Sequence, residues 1–221
     1  MFQIIELPKK KYQVIYADPP WKTSYAKELK NNVSGTKSMD TKLPYQTMTD
    51  KEIMALPIAE LTDNDAILFL WLIDSRIPIV KELMNGWGFE YITVGFVWHK
   101  KATTTSGENA SLTPYTRKST EFCFIGRKGG CLVKNHSCPQ FINEAKREHS
   151  RKPDIVRTYI TKMCGDLPRI ELFARQKVQG WDTWGNEVPK ETQMLLQSND
   201  ESHPTPPQGV ADARGMTEDD G

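Results

Sequence analysis

The feature that most limits what this chain can fold into is the uninterrupted apolar run at residues 66–73, AILFLWLI. Eight residues fall far short of the roughly 20 needed to cross a bilayer, but they match a strand of ordinary length. A strand that is apolar at every position is covered on both faces, as strands are in the parallel sheets of α/β proteins. Shorter runs with strand character lie at residues 14–17, 91–98, 120–125 and 131–133, and residues 170–174 read as the last strand. Between them lie three helical patterns. Thr49-Asp50-Lys51-Glu52 has capping-box spacing and opens a helix carrying Ile53, Met54 and Leu56, which Pro57 kinks or ends. Asp74 or Ser75 caps a second, with Ile77, Val80, Leu83, Met84 and Trp87 on one face and Gly86 and Gly88 at its end. A third starts beside Pro153, turns Ile155, Val156, Tyr159, Ile160 and Met163 inward, and stops at Gly165. Strands alternating with helices predict an α/β domain over residues 1–188, built on a mostly parallel sheet with helices on both faces. Ligands of such sheets bind beyond the carboxyl ends of the strands.

Charge divides the chain. From Glu187 onward there are eight acidic residues against two basic ones, which leaves 27 bases against 20 acids in the first 186 residues. A basic body suits a polyanionic partner. Residues 189–221, rich in Pro, Gly and Ser, read as a disordered acidic tail. No apolar window is long enough to span a membrane, and the N-terminus lacks the order of a signal peptide. A cytoplasmic protein, with Cys123, Cys131, Cys138 and Cys164 reduced, is expected. Cys131, His136 and Cys138 lack the paired spacing and fourth ligand of a zinc site, so no metal is expected. Two long polar stretches, residues 22–46 and 99–119, read as functional loops. Lys22 and Lys27 in the first, and His99, Lys100, Lys101, Arg117 and Lys118 framing the second, could contact phosphates. Trp71 and Trp98 lie inside apolar runs and read as core.

The sharpest chemical signal is Asp18-Pro19-Pro20-Trp21, directly after the first strand. The exocyclic amine of a nucleobase is a poor nucleophile because its lone pair is delocalised into the ring. A carboxylate and a carbonyl that accept its two hydrogens would pyramidalise the nitrogen and aim that lone pair at an electrophile. Asp18 and the Pro19 carbonyl can do this, with Pro20 stiffening the turn and Trp21 offering a face on which a base could stack. Near the end of the chain, Glu171 in a strand could hold ribose hydroxyls, as acids do in dinucleotide folds. Arg175 lies just past that strand, and a surface ion pair between these two residues is the alternative. Asn186 could reach ribose or adenine edges, and Lys152 beside a helix start could meet a carboxylate.

These motifs occur in a recognisable order: DPPW, PYQTM at residues 44–48, FLW at 69–71, RKPDIV at 151–156 and PRIELFARQKVQGWDTWGNE at 168–187. The set resembles the adenine-amine methyltransferase family named for the 70-kilodalton subunit of the messenger-RNA methyltransferase, over about residues 10–188. The resemblance implies a Rossmann-like methyltransferase sheet, S-adenosylmethionine as cofactor, and a motif order permuted relative to many methyltransferases. It also implies cofactor contacts at Asp18, Lys152, Glu171, Arg175 and Asn186, and a substrate-pocket position at Tyr45. Gln176-Lys177-Val178 departs from the proline-histidine-asparagine of eukaryotic members, and Arg151 replaces their histidine. The absence of a zinc-finger extension here looks like the compact bacterial and phage members. The expected activity is therefore methylation of the N6 amine of adenine in DNA after base flipping. RNA adenine, the cytosine amine and a non-catalytic scaffold are the alternatives; the intact Asp18 favours an active subunit.

Overall fold

The computed structural model describes residues 6–22, 46–101, 111–112, 115–147 and 151–188. Nine strands run in chain order: β1 (Tyr12–Ala17), β2 (Thr62–Leu72), β3 (Glu90–Lys101), β4 (Ser111–Leu112), β5 (Arg117–Lys118), β6 (Thr120–Lys128), β7 (Phe141–Ala145), β8 (Arg169–Leu172) and β9 (Asp182–Trp184). Seven of them form one sheet in the order β7-β3-β6-β2-β1-β8-β9, while β4 and β5 pair separately. Four neighbouring pairs are parallel; β6 runs antiparallel to both β2 and β3. The sheet is mostly parallel, as the sequence predicts.

The apolar run in β2 is buried on both faces. Leu68, Leu70 and Leu72 join Ile15 and Ala17 of β1 in one core, against α1 (Asp50–Met54) and α2 (Val80–Gly86). Phe69 and Trp71 join Val14 and Tyr16 in the other, against α3 (Ile155–Cys164). Strand side chains alternate in direction, so each strand feeds two cores and helices cover both faces. Trp71 and Trp98 are core residues, 1% and 0% exposed.

The start of α1 carries the capping box that Thr49 and Glu52 predict, and α3 ends at Gly165 with φ at +80°, a conformation that favours glycine. Other expectations need correction. Neither Asp74 nor Ser75 caps a helix: residues Asp74–Ile79 form a 3-10 segment containing Pro78, and α2 starts only at Val80. Proline supplies no N–H for the helical ladder, and the Asp74 carboxylate is taken by Lys118. Residues 131–133 form no strand. Their segment instead leads to Lys134 and Asn135, whose N–H groups cap the Met163 carbonyl at the end of α3 (2.8 and 3.2 Å). The strand of this region is β7, beside β3. Residues 170–174 are not the last strand, because β9 follows and pairs with β8. Finally, β3 extends to Lys101, so His99, Lys100 and Lys101 are strand residues, not loop residues. The expected first loop, apart from Lys22 and Gln46, and the expected tail lie outside the described residues.

From β1 the chain first builds outward through β2, then crosses back to lay β8 on the other side of β1. At such a reversal the connections leave the two adjacent strand ends in opposite directions, which opens a crevice beyond their carboxyl ends.

Candidate active site

The crevice at the ends of β1 and β8 is lined by Tyr16, Asp18, Lys152, Glu171, Phe173 and Arg175, among others, and holds about 690 Å³ of open space including its mouth. The Asp-Pro-Pro-Trp turn forms one rim. Trp21 N–H donates to the Pro19 carbonyl (2.9 Å), and Met48 N–H donates to the Pro20 carbonyl (2.8 Å). Met48, the last residue of PYQTM, thus pins the turn in place. The Pro19 oxygen is already in use once and keeps one of its two acceptor positions. Trp21 does not offer an open stacking face: it is 5% exposed, with its indole N–H directed at the Trp71 carbonyl (3.3 Å). Its packing against the core fixes the turn. Tyr45 lies outside the described residues.

From one wall of the site, where Asp18 and Lys152 line the cleft, runs a chain of four alternating charges. Lys152 Nζ donates to both carboxylate oxygens of Asp18 (2.8 and 2.7 Å) and lies 3.2 Å from Glu121 Oε2. Lys100 Nζ reaches Glu121 Oε1 (2.6 Å). Each ammonium also stands over an indole, Lys152 over Trp71 and Lys100 over Trp98, both 5.5 Å from the ring centroid. Asp18 is 23% exposed and Lys152 10%. Burial pushes the Asp18 carboxyl above its ordinary range in spite of Lys152. Burial acts on Glu121 in the same direction, but Lys152 and Lys100 outweigh it and hold that carboxyl below its ordinary range. Lys152 stays firmly protonated, because its two carboxylate partners overcome the burial that would neutralise it. Lys100, expected at a phosphate, is instead a member of this chain.

The facing wall is a fork. Arg157 donates from Nε to Glu171 Oε2 (2.7 Å) and from Nη2 to Glu171 Oε1 (2.6 Å), with both side chains 10% exposed. Its remaining Nη1 donates to Asp154 (2.7 Å), which also accepts from Arg151 and Arg147. The guanidinium lies 5.7 Å from the Tyr16 ring centroid, and the Tyr16 hydroxyl accepts from the Trp71 indole N–H (2.8 Å). Burial raises the Glu171 carboxyl despite Arg157, and raises the Tyr16 hydroxyl well above its usual range. The surface pair of Glu171 with Arg175, the alternative to a cofactor role, is not formed. Glu171 pairs inside the protein with Arg157, and Arg175 lies 3.7 Å from Glu187.

Beyond β8, Phe173 takes φ of +60°, unusual for a bulky residue, and its ring meets Trp184 edge-on at 5.4 Å. Ala174 N–H donates to the Trp184 carbonyl (2.9 Å), and a Cβ on Gly185 would overlap the Ala174 carbonyl. Only glycine lets these two segments close so tightly beside the cleft.

The fold therefore brings Asp18, Lys152, Glu171 and Arg175 to one cleft. Asn186 is exposed in the turn after β9, and Lys101 and Arg117 are exposed at strand ends. Glu121 and Arg157 were not anticipated. Each had a faint signal, since Glu121 abuts the apolar run 122–125 and Arg157 follows directly on the inward-facing Val156. Among the described residues no cluster of His, Cys, Asp and Glu is arranged to hold a metal ion.

Comparison with known proteins covers the same region. A family model described as MT-A70 matches residues 12–187. The chain is 38% identical over 195 residues to the type II methyltransferase M.MunI of Mycoplasma sp, covering 83% of this chain and 81% of that protein. It is 31% identical over 183 residues to the human N(6)-adenosine-methyltransferase catalytic subunit METTL3, covering 80% of this chain but 28% of that protein. A probable N(6)-adenosine-methyltransferase MT-A70-like protein of Oryza sativa is 28% identical over 180 residues, 23% of its own length. The chain thus spans about a quarter of these two eukaryotic relatives.

Proposed function

The chain belongs to the MT-A70 family and is an adenine-N6 methyltransferase, and we propose that it draws its methyl group from S-adenosylmethionine and acts on DNA. The observation that carries the reading is the position of Asp18. A carboxylate held at the open end of β1, beside a cleft at the sheet's reversal point, is what an amine nucleophile needs. The residues around the cleft also fit the cofactor. Glu171 keeps acceptor positions that Arg157 does not use, suited to ribose hydroxyls; Lys152 and Arg175 suit a carboxylate or further hydroxyls; Phe173 gives an apolar surface. When bound, the cofactor supplies a sulfonium methyl group as electrophile.

The protein's own part is alignment. Asp18 and the free acceptor position of Pro19 take the two hydrogens of the target amine, turning its lone pair toward the cleft. Each Asp18 oxygen accepts once from Lys152 and keeps a second acceptor position for the amine, so Lys152 can stay or shift its donation toward Glu121 as the amine arrives. Glu121, 3.2 Å from Lys152 Nζ, offers the ammonium a second partner, so no buried cation is stranded. Lys100 holds Glu121 in place for that exchange. In duplex DNA the amine is paired and stacked, and the base must be extruded at a cost of a few kcal/mol. Residues 1–188 make up the catalytic domain in this reading, with Lys101 and Arg117 placed to meet backbone phosphates and Asn186 at the cofactor's edge.

The likeness to a type II methyltransferase, over 81% of that protein, favours DNA; the likeness to N(6)-adenosine-methyltransferases, over about a quarter of each, favours RNA as the second reading. Incubation with labelled S-adenosylmethionine and matched DNA and RNA pools, followed by nucleoside mass spectrometry, tests both. N6-methyladenine in the DNA pool is the expected product. Label in RNA alone would transfer the activity to the second reading, and label in neither would leave Asp18 without its proposed role.

A further inference from the structure

Arg157 has no part in the reading above, yet all three of its guanidinium nitrogens donate to carboxylates. Both of its fork nitrogens face the two oxygens of Glu171 at 2.7 and 2.6 Å, its third nitrogen is tied to Asp154 at 2.7 Å, and its central carbon lies over the Tyr16 ring, 5.7 Å from the centroid. The Tyr16 hydroxyl is held in turn by the Trp71 indole N–H. A guanidinium gripped on three sides in this way cannot rotate without breaking several contacts at once. We infer that Arg157 is a positioning residue that orients the Glu171 carboxylate so that a lone pair it leaves free accepts a ribose hydroxyl of the nucleoside cofactor. The inference rests on the proposed cofactor reading and goes beyond it by assigning the geometry of ribose recognition to the partner of Glu171.

The physical reason lies in the carboxylate itself. It has about four acceptor directions, and a parallel fork occupies the two that run side by side, leaving one on the flank of each oxygen, the two pointing apart. A ribose hydroxyl that approaches one flank meets a lone pair whose direction the fork has already fixed. A free carboxylate at the end of a Glu side chain would have to be ordered at each binding event, and one held by a single ammonium could still pivot. Arg157 removes that freedom before the ligand arrives. It also supplies the positive charge that opposes burial at Glu171. Three features support an orienting role over a purely structural one: the pair lines the cleft rather than the core, its bonds are bidentate, and the third nitrogen is anchored separately on Asp154.

The test uses the full chain and two probes, S-adenosylhomocysteine and its counterpart lacking both ribose hydroxyls, titrated by calorimetry against wild type, Arg157→Lys and Arg157→Gln. Thermal melting of each variant confirms that it is folded at the titration temperature. Wild type should lose at least tenfold in affinity when the hydroxyls are absent. Both variants should bind S-adenosylhomocysteine at least tenfold more weakly than wild type, and should discriminate between the two probes by less than about threefold. Lysine keeps the charge but not the fork, so failure of Arg157→Lys to restore binding separates geometry from charge. Three results would overturn the inference: full restoration by lysine, variants that weaken both probes equally while keeping the wild-type discrimination, and variants with unchanged affinity. A wild type that binds neither probe would overturn the cofactor reading together with it.

Discussion

The two walls of the cleft both neutralise buried charge, but they do so by different means. On the Asp18 side, ammonium groups are shared between carboxylates: Lys152 between Asp18 and Glu121, and Glu121 between Lys152 and Lys100. On the Glu171 side a planar guanidinium is matched oxygen for nitrogen. A lysine is a point charge on a flexible stem and can exchange partners at little geometric cost, whereas an arginine fork holds one partner in one plane. The first arrangement suits a carboxylate that takes a new partner during a reaction, and the second suits one that must not move. Electrostatics thus tracks the work each wall performs in the proposed reaction.

Removing the guanidinium should give the largest effect. Arg157→Ala strands a buried carboxylate and is expected to cost about 3 to 5 kcal/mol of stability, the range found when one partner of a buried pair is deleted. Chemical denaturation of the variant measures it; a loss below about 1 kcal/mol would mean that the fork is not rigidly buried. Next, Asp18→Asn keeps the shape of the side chain but presents an NH₂ donor where the amine needs an acceptor. Turnover should fall at least about a hundredfold, roughly 2.7 kcal/mol of barrier, with only moderate weakening of cofactor binding, read by methyl-transfer assay beside titration.

Smaller effects probe the sharing of charge. Asp18 must be ionised to accept from the amine, so turnover should decline as pH falls through its raised pKa. Lys152→Ala removes a charge that lowers that pKa, and Glu121→Gln removes one that raises it. The acid limb of the pH–rate profile should therefore move to higher pH in Lys152→Ala and to lower pH in Glu121→Gln. For Lys152→Ala, turnover near neutrality should drop by about tenfold, about 1.4 kcal/mol, and recover partly on raising the pH. Shifts of the same sign in both variants would disprove the shared-charge description. Smaller again, Lys101→Ala should reduce the slope of log affinity for DNA against log salt by about one, whereas Lys100→Ala should not, because Lys100 serves Glu121 instead of a phosphate. Equal changes in slope would place both at the DNA. Truncation after Val188 should alter neither wall, leaving melting temperature and cofactor affinity close to those of the full chain.

Much of this molecule was legible in its sequence because the relevant signals are local. The unbroken apolar run of β2 already requires cover on both faces, and the inward stripe of α3 and its Gly165 stop follow from the helical period. Asp18 could be singled out because a strand, a carboxylate and two prolines are adjacent in the chain. The missed elements carry little local signal. β9 has three residues, and β7 lies at the sheet edge with its Phe141 exposed, so neither builds an apolar pattern. Trp21 was misread for a related reason: nothing in the letters distinguishes an indole that faces solvent from one that packs under its own turn.

The choice of charge partners was decided by the tertiary structure alone. Lys152 is 134 residues from Asp18, and Glu171 took Arg157 across the β8–α3 contact instead of the nearer Arg175. Sequence determines which charges exist and which strands can be buried. Which charges lose their water together depends on the strand order, since it is the crossing back of the chain to place β8 beside β1 that brings both walls to one crevice. In low dielectric a charge must take the partner whose geometry is available there, and that geometry is a property of the assembled sheet.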